Sequence, residues 1–374
     1  MTSLRTFLDQ ADLVVVGAGI VGLAHAHAAA ARGLSVAVVE RNSRPLGASV
    51  RNFGHGCATA QDGAALRYAM RARETWLSLA EHGVQARATG TVVVARADDE
   101  LQVLREFADL RGPEQVVLLD EKGTRDKVTL GEGVVGGAFL PLDVRVNPRQ
   151  AAPAFAAALA SLGVRFHWST SAHVVEPGEV VTSRGVIKAR HVVVAVGHDV
   201  DRHFPDLAAD AAVQRCSLHM LRVSDPHGRV IDPAVLTGLS LLRYDGFAAC
   251  PSLTDVRARM DQDSPRLVEA GLNLMFTQLP DGDLTVGDTH AYAGDVAPYR
   301  AEELDDLVLG ETARLLGAPR LRVRERWRGV YASAPDPFLV AAPADGLRIV
   351  SVTSGIGMTT ALGLAPEVLD DLIP

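Results

Sequence analysis

The sequence predicts an α/β fold in which a domain built on a parallel sheet alternates along the chain with a second, mixed-sheet domain. A buried strand, a glycine-rich turn, an Ala-rich helix and another buried strand follow one another between residues 12 and 40, as in a βαβ unit. The 374 residues exceed what a single core usually holds, so two domains are expected. Short apolar strands return near the C-terminus, at 338–342 and 347–352, which favours interleaved rather than sequential domains.

The first unit is predicted as strand 12–17, helix 20–32 and strand 35–40, with Gly17, Gly19 and Gly22 at the turn. Gly17 would allow the tight turn, Gly19 the approach of a pyrophosphate, and Gly22 close packing of helix on strand. The pyrophosphate would bind at the helix N-terminus, where free N–H groups and the helix dipole favour anions.

An acidic residue, Glu40, follows Gly22 by 18 residues and ends the second strand. Strand, glycines, helix, strand and acid in this order form the dinucleotide-binding fingerprint. Glu40 is placed to accept a hydrogen bond from a ribose 2′-OH and disfavours a 2′-phosphate, which indicates FAD or NAD rather than NADP. The alternative is a tight turn in an unrelated α/β protein.

The remaining elements follow from periodicity and from capping and turn residues. A glycine-rich loop at 47–57 is too long for a simple turn and is typical of a loop that holds a ligand. We expect helices at 63–82, 98–110 (capped by Asp98-Asp99), 148–162 (capped by Asn147), 301–316 and after the turn at 354–358. We expect strands at 90–95, 141–147, 164–168, 174–181, 185–188, 191–197, 218–223, 272–276, 284–288, 338–342 and 347–352.

Composition excludes several classes of protein. The net charge of −8, from 37 basic and 45 acidic residues, argues against a nucleic-acid partner. No apolar run is long enough to span a membrane. Cys57, Cys216 and Cys250 match no metal spacing, so we predict no metal site and expect reduced thiols in a cytoplasmic protein. A covalent flavin–cysteine bond is the alternative for one of them.

The order of motifs resembles that of the FAD-dependent amine oxidases of the D-amino-acid oxidase, glycine oxidase and sarcosine oxidase type, over nearly the whole chain. Five elements carry the resemblance: the fingerprint with Glu40-Arg41, Gly47-Ala48-Ser49, Val192 to Gly197, Arg326 to Tyr331 with Asp336, and Ser354 to Met358. It implies a Rossmann-like FAD-binding domain (1–80, 145–215 and 325–374) interleaved with an α+β substrate domain (81–144 and 216–324).

The resemblance also implies that the first and last elements clasp FAD lengthwise, and that Arg51 to Cys57 passes the isoalloxazine. N–H groups at the start of the last helix would lie near flavin O2 and stabilise negative charge on the reduced ring. The stretch Ser49 to Gly54 resembles a bacterial subgroup linked to small amines or aminophosphonates. The implied FAD-binding residues are Gly17, Gly19, Ile20, Val21, Gly22, Glu40, Arg41, Ala48, Ser49, Asn52, Phe53, Gly54, Val174, Ala195, Gly197, Gly355, Ile356, Gly357, Met358 and Thr359.

Two departures from the glycine-oxidase pattern bear on the substrate. Tyr331 stands where those proteins usually have the arginine that clamps the substrate carboxylate, and Ile356 to Thr359 lacks the usual His and basic residue. A phenol does not replace a bidentate guanidinium, so we do not expect a plain α-amino acid held in the usual way. A substrate anion would need another cation, for which Arg51, Arg243 and Arg328 are candidates; surface or interdomain salt bridges are the alternative for each.

The expected reaction is hydride transfer from a C–H next to a neutral amine to flavin N5, followed by hydrolysis of the imine. The acceptor of the electrons is expected to be oxygen or a quinone. His55, Tyr331 and Arg51 are the catalytic candidates, and His55 would take the ammonium proton, unless it only packs beside the ring. His290 and Tyr292 line the substrate side or simply pack in the core.

Two other functions remain open from the sequence. Gly287-Asp288 is similar to the Gly-Asp pair of flavin hydroxylases, which consume NAD(P)H, although here it lies in the expected substrate region. The missing arginine is also compatible with a flavoprotein that does not catalyse. A fold-level resemblance does not decide between these functions, because the substrate has to be argued from the site.

Overall fold

A computed structural model describes residues 6–373. Within them, sixteen strands form a large mixed sheet and three form a small sheet. The strands are β1 (Phe7–Val16), β2 (Val36–Val39), β3 (His55–Gly56), β4 (Ala86–Arg87), β5 (Thr91–Ala95), β6 (Val117–Leu119), β7 (Gly136–Leu140), β8 (Val144–Val146), β9 (Arg165–His167), β10 (Ala172–Glu176), β11 (Glu179–Thr182), β12 (Gly185–Val194), β13 (Gln214–Val223), β14 (Ala234–Thr237), β15 (Met275–Gln278), β16 (Leu284–Gly287), β17 (Ala291–Ala293), β18 (Val323–Ala344) and β19 (Leu347–Ser354).

The helices pack around this sheet. They are α1 (Ile20–Ala30), α2 (Gly63–Leu79), α3 (Asp98–Arg111), α4 (Glu121–Lys127), α5 (Ala151–Ser161), α6 (Val200–His203), α7 (Pro205–Asp210), α8 (Gly238–Leu241), α9 (Leu253–Asp263), α10 (Pro265–Glu269), α11 (Glu302–Leu316) and α12 (Gly357–Leu372).

The predicted βαβ unit is confirmed, although β1 begins earlier than expected, at Phe7. β1 pairs in parallel with β2 on one side and with β12 on the other, and β12 pairs in parallel with β19. Successive residues of β1 point to opposite faces, so Leu13 and Val15 enter one core cluster while Val14 and Val16 enter another. A parallel sheet buried on both faces is the result.

The large sheet continues from these parallel strands into the region that carries the substrate-domain prediction. Along its main path the order is β6-β7-β5-β14-β15-β16-β13-β18-β19-β12-β1-β2-β9, while β11 pairs with β12, β10 with β11 and β17 with β13. β18 joins the two parts, since residues Val323 to Ser333 pair with β13 and residues Ser333 to Ala344 pair with β19. The predicted α/β class with a mixed second sheet region is confirmed, and the domain limits remain a prediction.

Two predicted helix caps are wrong. The N-cap of α3 is Ala97, and Asp99 lies in the first turn, where its carboxylate accepts hydrogen bonds from Arg259 at 2.7 and 3.0 Å. α5 begins at Ala151 rather than at Pro148. Asn147 forms the preceding turn, because its side chain accepts from Arg149 N at 3.1 Å.

The strands around residue 180 differ in part from the prediction, although residues 179–182 do pair antiparallel with residues 185–188. The stretch 174–181 is two strands, β10 and β11, which form a hairpin around Pro177-Gly178. The stretches 185–188 and 191–197 belong to one strand, β12, that ends at Val194. Among residues 6–373, no helix is both long enough and apolar enough to cross a bilayer.

Candidate active site

A cavity of about 450 Å³ lies along the sheet where the fingerprint, the loop around residue 50, the start of α12 and the β16–β18 region meet. Its size is typical of a ligand site. It brings together most residues that were predicted from the sequence. These are Gly17, Gly19, Ile20, Val21, Glu40, Arg41, Ala48, Ser49, Arg51, Asn52, Phe53, His55, Ala195, Gly197, Tyr331, Gly355, Ile356, Gly357, Met358 and Thr359.

Three predicted cofactor residues do not line the cavity. Gly22 and Gly54 instead permit close backbone contacts: a Cβ on Gly22 would lie 1.9 Å from Gly17 O, and one on Gly54 would lie 2.1 Å from Val146 O. Val174 is 38% exposed, because β10 turns away from the cavity. The wall there is formed by Thr170 to Ala172.

The fingerprint builds a narrow backbone cradle. Gly17 has φ of +104°, and a Cβ there would lie 2.4 Å from Ala195 O. Only glycine takes this conformation and this contact without strain. Ser49 Oγ accepts a hydrogen bond from Ile20 N at 2.8 Å, which ties the loop around residue 48 to the first turn of α1.

Glu40 is held rigidly at the end of β2. Its Oε2 accepts from Ala18 N at 3.0 Å, and its Oε1 accepts from Asn42 N at 2.9 Å and Asn42 Nδ2 at 2.8 Å. A glycine cradle, a helix N-terminus and a fixed carboxylate inside one cavity fit the adenosine diphosphate part of FAD. The start of α12 lines the same cavity, where a Cβ on Gly357 would lie 3.5 Å from Ile20 Cγ2.

Arg243, just after α8, provides a positive charge beside Tyr331. Its Nη2 donates to Tyr331 Oη at 2.9 Å and to Ser354 O at 3.3 Å. Burial lowers the pKa of Arg243, but Tyr331, Tyr292, Tyr244 and Asp288 together raise it above its usual value, so the guanidinium stays charged. Among the described residues, Nη1 of Arg243 donates no hydrogen bond.

His290 lies against Arg243 as a neutral acceptor. Burial and the charge of Arg243 lower the pKa of His290 to about 3. Its Nδ1 lies 2.8 Å from Gly271 O and must carry the proton, which leaves Nε2 to accept from Arg243 Nε at 3.4 Å. His290 Nε2 is also 3.9 Å from Asp288 Oδ2.

Asp288 and Asn273 form the remaining polar wall of the cavity, and each is only 5% exposed. Their backbones exchange two hydrogen bonds, Asn273 N to Asp288 O at 2.8 Å and Asp288 N to Asn273 O at 3.0 Å. Burial raises the pKa of Asp288 to about 7, while the charge of Arg243 opposes the rise. Of the pair Gly287-Asp288, Asp288 lines the cavity beside His290, and its assignment to the substrate side stays a prediction.

His55 also lines the cavity, but its ring is engaged on one side. Nε2 lies 2.6 Å from Thr91 Oγ1 and 3.3 Å from Asp143 Oδ2. His55, Cys57 and Asp143 are close enough together to suggest a metal site. Asp143 also holds the local backbone, since Oδ1 accepts from the N–H groups of residues 58 and 59 and Oδ2 accepts from Thr91 Oγ1.

The three cysteines are free and buried. Cys57 alone among them borders the cavity within the described chain. Burial, reinforced by the Asp143 charge, raises the pKa of the Cys57 thiol well above its usual value, which disfavours the thiolate needed for metal binding.

The three candidate arginines differ in their position relative to the cavity. Arg243 and Arg51 line the cavity, whereas Arg328 lies outside it, with Nη2 donating to Tyr299 O at 3.2 Å. Within residues 6–373, the Arg51 guanidinium makes one long hydrogen bond, 3.5 Å from Nη1 to Arg328 O. Tyr292 is 51% exposed and does not line the cavity, whereas His290 does.

Sequence reasoning missed Asn273 and Tyr244, and gave Asp288 only a role in another enzyme class. Tyr244 Oη donates to Met275 Sδ at 3.7 Å, a weak acceptor. No local motif marks these residues. The one available signal was the departure at Tyr331, which required a cation from elsewhere in the chain.

Known proteins resemble this chain in sequence and in fold. It is 25% identical over 86% of its length to the tRNA 5-methylaminomethyl-2-thiouridine biosynthesis bifunctional protein MnmC of Burkholderia thailandensis, and 28% identical over 54% of its length to the 4-methylaminobutanoate oxidase (formaldehyde-forming) of Paenarthrobacter nicotinovorans. The alignments span only 53% and 26% of those two proteins.

The fold is shared with glycine oxidase from Geobacillus kaustophilus, at a TM-score of 0.78 and 19% identity over 98% of this chain and 95% of that chain. Residues 12–370 match the family described as "DAO: FAD dependent oxidoreductase". The match confirms the predicted FAD cofactor and oxidoreductase class. The chain is therefore a member of the DAO family of FAD-dependent oxidoreductases.

Proposed function

We propose that this protein oxidises the C–N bond of a small primary or secondary amine that carries an anionic group, with hydrolysis of the resulting imine. The observation that carries the proposal is the guanidinium of Arg243, which donates to Tyr331 Oη at 2.9 Å. Tyr331 is the position at which the resemblance called for an arginine. Arg243 thus supplies from another segment the charge that is missing there.

The surroundings of Arg243 suit an anion. The neutral His290 accepts a hydrogen bond from Nε of Arg243. Ser354 O and Tyr331 Oη accept hydrogen bonds from Nη2 of Arg243. These contacts fix the guanidinium without neutralising it. Because Nη1 has no acceptor within residues 6–373, a substrate oxygen would complete its hydrogen bonding, and charge-assisted bonds of this kind are the strong ones.

A phosphonate is the proposed anionic group, in keeping with the resemblance carried by Ser49 to Gly54. Its tetrahedral oxygens can be met by donors from several directions, here Arg243 and the hydroxyls of Tyr331 and Tyr244. The Tyr244 proton would leave the weak acceptor Met275 Sδ for the phosphonate. The relative from Paenarthrobacter is named for an amine that also carries an acid group, which supports an anionic amine in general.

The proposed FAD-binding residues are those of the cradle, Glu40 and the start of α12. When bound, FAD supplies the hydride acceptor. The chain's part is to orient the amine and to exclude water from it. The free N–H groups at the start of α12 would stabilise negative charge near them through the helix dipole.

Oxygen or a quinone is proposed as the final electron acceptor. A cytoplasmic location is proposed from the three free, buried cysteines, since reduced thiols are typical of that compartment. Cys57 is the residue to test for a covalent flavin bond, because it borders the cavity.

The test of the proposed function is anaerobic reduction of the flavin in the purified holoenzyme. We expect 2-aminoethylphosphonate or its N-methyl form to bleach the flavin absorbance faster than glycine, sarcosine, D-alanine or propylamine. Faster bleaching by glycine or D-alanine would contradict the phosphonate proposal. Bleaching by dithionite but by none of these amines would contradict amine oxidation, and consumption of NADH or NADPH would favour a hydroxylase.

Arg243→Met tests the anion-binding role. We expect the apparent Kd of the anionic amine to rise roughly 10- to 100-fold, because a hydrogen bond to a charged group is worth about 1.5–3 kcal/mol. The control is Arg257→Met, on the exposed side of α9, which should leave the Kd unchanged. If Arg51→Met weakens binding and Arg243→Met does not, Arg51 holds the anion instead.

A further inference from the structure

Two buried oxygen atoms in the cavity are left without a hydrogen-bond partner among residues 6–373: Oδ1 of Asp288 and Oδ1 of Asn273. Leaving such a buried group unpaired destabilises the folded protein, because its hydrogen bonds to water are lost and not replaced. Both residues line the cavity and each is 5% exposed. A ligand that donates hydrogen bonds would remove this cost.

The position of the two oxygens is fixed by the backbone. Residues 273 and 288 exchange a reciprocal pair of backbone hydrogen bonds, at 2.8 and 3.0 Å. Met275 Sδ accepts from Asn273 Nδ2 at 3.6 Å, which leaves the amide oxygen as the free end of that side chain. The pair therefore presents two acceptors, one of them a carboxylate, and acceptors of this kind suit a cationic donor.

The carboxylate and the guanidinium in this cavity do not neutralise each other directly. Arg243 donates its hydrogen bonds to Tyr331, Ser354 and His290 rather than to Asp288. The neutral imidazole of His290 lies between the charges, with Nε2 3.4 Å from Arg243 Nε and 3.9 Å from Asp288 Oδ2. The cavity thus offers separate positive and negative groups, which is complementary to a zwitterion.

We infer that Asp288, with Asn273, binds the ammonium group of the substrate and that Asp288 Oδ1 accepts its proton. The inference rests on the proposed function, in which the anionic end of the same substrate binds Arg243. In this step the N–H bond of the ammonium breaks and an O–H bond forms on Asp288, which leaves a neutral amine and a neutral carboxyl group. No electrons are exchanged in it, and the proton leaves to solvent after product release.

Electrostatics supports this role. Burial raises the pKa of Asp288 to about 7, so its carboxylate is a stronger base than an ordinary aspartate. The titratable and charged groups that face it are Arg243, His290, Tyr244 and Cys216.

None of these neighbours titrates near neutrality. Arg243 remains charged, and the pKa of His290 is lowered to about 3. Burial raises the pKa of Cys216 to about 11 and that of Tyr244 well above its usual value. Of this group, Asp288 alone is placed to give a pH dependence near 7.

The experiment compares two ligands of the holoenzyme that differ only in the amino group. The apparent Kd of 2-aminoethylphosphonate is taken from the concentration dependence of the anaerobic rate of flavin reduction. The Kd of ethylphosphonate, which has no C–N bond to oxidise, is taken from the change in flavin absorbance on binding. Both are measured for the wild type, Asp288→Asn and Asn273→Ser. The matched control is Asp281→Asn, an exposed aspartate on the β15–β16 turn that pairs with Arg222 on the surface.

For Asp288→Asn we expect at least a 10-fold loss of affinity for 2-aminoethylphosphonate, with ethylphosphonate bound as tightly as by the wild type or more tightly. Asn273→Ser should lose part of the same selectivity, and Asp281→Asn none. The limb near pH 7 in the rate of flavin reduction should disappear in Asp288→Asn. If Asp288→Asn does not fold, the selectivity of Asn273→Ser decides.

Equal loss of both ligands in Asp288→Asn, no loss of either, or persistence of the pH limb would overturn the inference. So would a wild type that binds ethylphosphonate as tightly as 2-aminoethylphosphonate. Failure of the proposed function has a different signature, namely no binding of ethylphosphonate by the wild type, or binding that Arg243→Met leaves unchanged. The pair glycine and acetate, run in parallel, repeats the comparison for a carboxylate.

Discussion

The two ends of the cavity are built in different ways. The proposed dinucleotide end consists mainly of backbone groups and glycines of the segment 17–40, with the Glu40 carboxylate fixed among them. The opposite end consists of charged and polar side chains, Arg243, Asp288 and Tyr331, which come from three separated segments. A cofactor shared by a whole family can be held by backbone geometry, whereas selection among substrates requires side chains that change independently of it.

The largest expected effect is a loss of FAD affinity on substitution of a glycine in the backbone cradle. Gly17→Ala should lower FAD affinity roughly 100-fold or more. Residue 17 has φ of +104°, and a Cβ there would lie 2.4 Å from Ala195 O. The strained backbone alone costs about 1–3 kcal/mol. Titration of the apoprotein with FAD measures it.

The control for this variant is Gly310→Ala, in the exposed face of α11, where a Cβ meets no atom within 4 Å. It should bind FAD normally and gain slightly in stability, because alanine favours a helix interior. Normal FAD affinity of Gly17→Ala would show that the cradle is not limiting.

The second prediction concerns the stability cost of the side-chain end. The pKa of Asp288 is raised in the folded protein from 3.8 to about 7, so the native state binds the proton more tightly than the unfolded state. The stability from this group is present below about pH 4 and is lost as the pH rises to about 7, by about 1.4 kcal/mol for each pH unit between the two pKa values.

Asp288→Asn should therefore raise the melting temperature by several degrees at pH 8 and by much less at pH 5. Thermal unfolding at matched flavin occupancy measures it, with Asp281→Asn as the exposed control. An equal shift at both pH values would contradict a buried carboxyl that is neutral at low pH.

The smallest predicted effect is a loss of ligand affinity on substitution of Tyr331, at the side-chain end of the cavity. Tyr331→Phe removes the acceptor of the 2.9 Å bond from Arg243 and should weaken binding of the anionic amine by about 1 kcal/mol, roughly fivefold. FAD affinity should not change. The control is Tyr299→Phe, whose ring is 89% exposed; a change in FAD affinity without a change in ligand affinity would place Tyr331 with the cofactor.

The sequence predicted the dinucleotide end in detail because its determinants are local. Gly17, Gly22 and Glu40 lie at fixed spacings, and each is required by contacts with nearby backbone groups. Val174 was predicted by analogy alone, and the turn at Pro177-Gly178 takes it to the surface. The predicted cap at Asn147 failed because its side chain closes the turn before α5.

For the opposite end, the sequence indicated that a positive charge was needed but did not identify the residue that provides it. Tyr331 implied that a cation was needed, and three arginines were candidates, but the contact of Arg243 with Tyr331 joins residues 88 positions apart. The pairing of Asn273 with Asp288 depends on backbone bonds between the ends of a hairpin. Contacts between residues so far apart in the chain cannot be predicted from local sequence patterns unless a known motif includes both residues.

The length of β18 has a consequence for how this protein can be divided. Its first half completes the sheet at β13 and its second half completes the sheet at β19, with Ser333 shared between them. A cut within either half removes residues that pair with β13 or with β19, and unpaired strand edges are prone to aggregate. We therefore expect that neither end of the cavity can be produced as a separate fragment, and that hybrids with relatives will succeed only when β13, β18 and β19 are exchanged together.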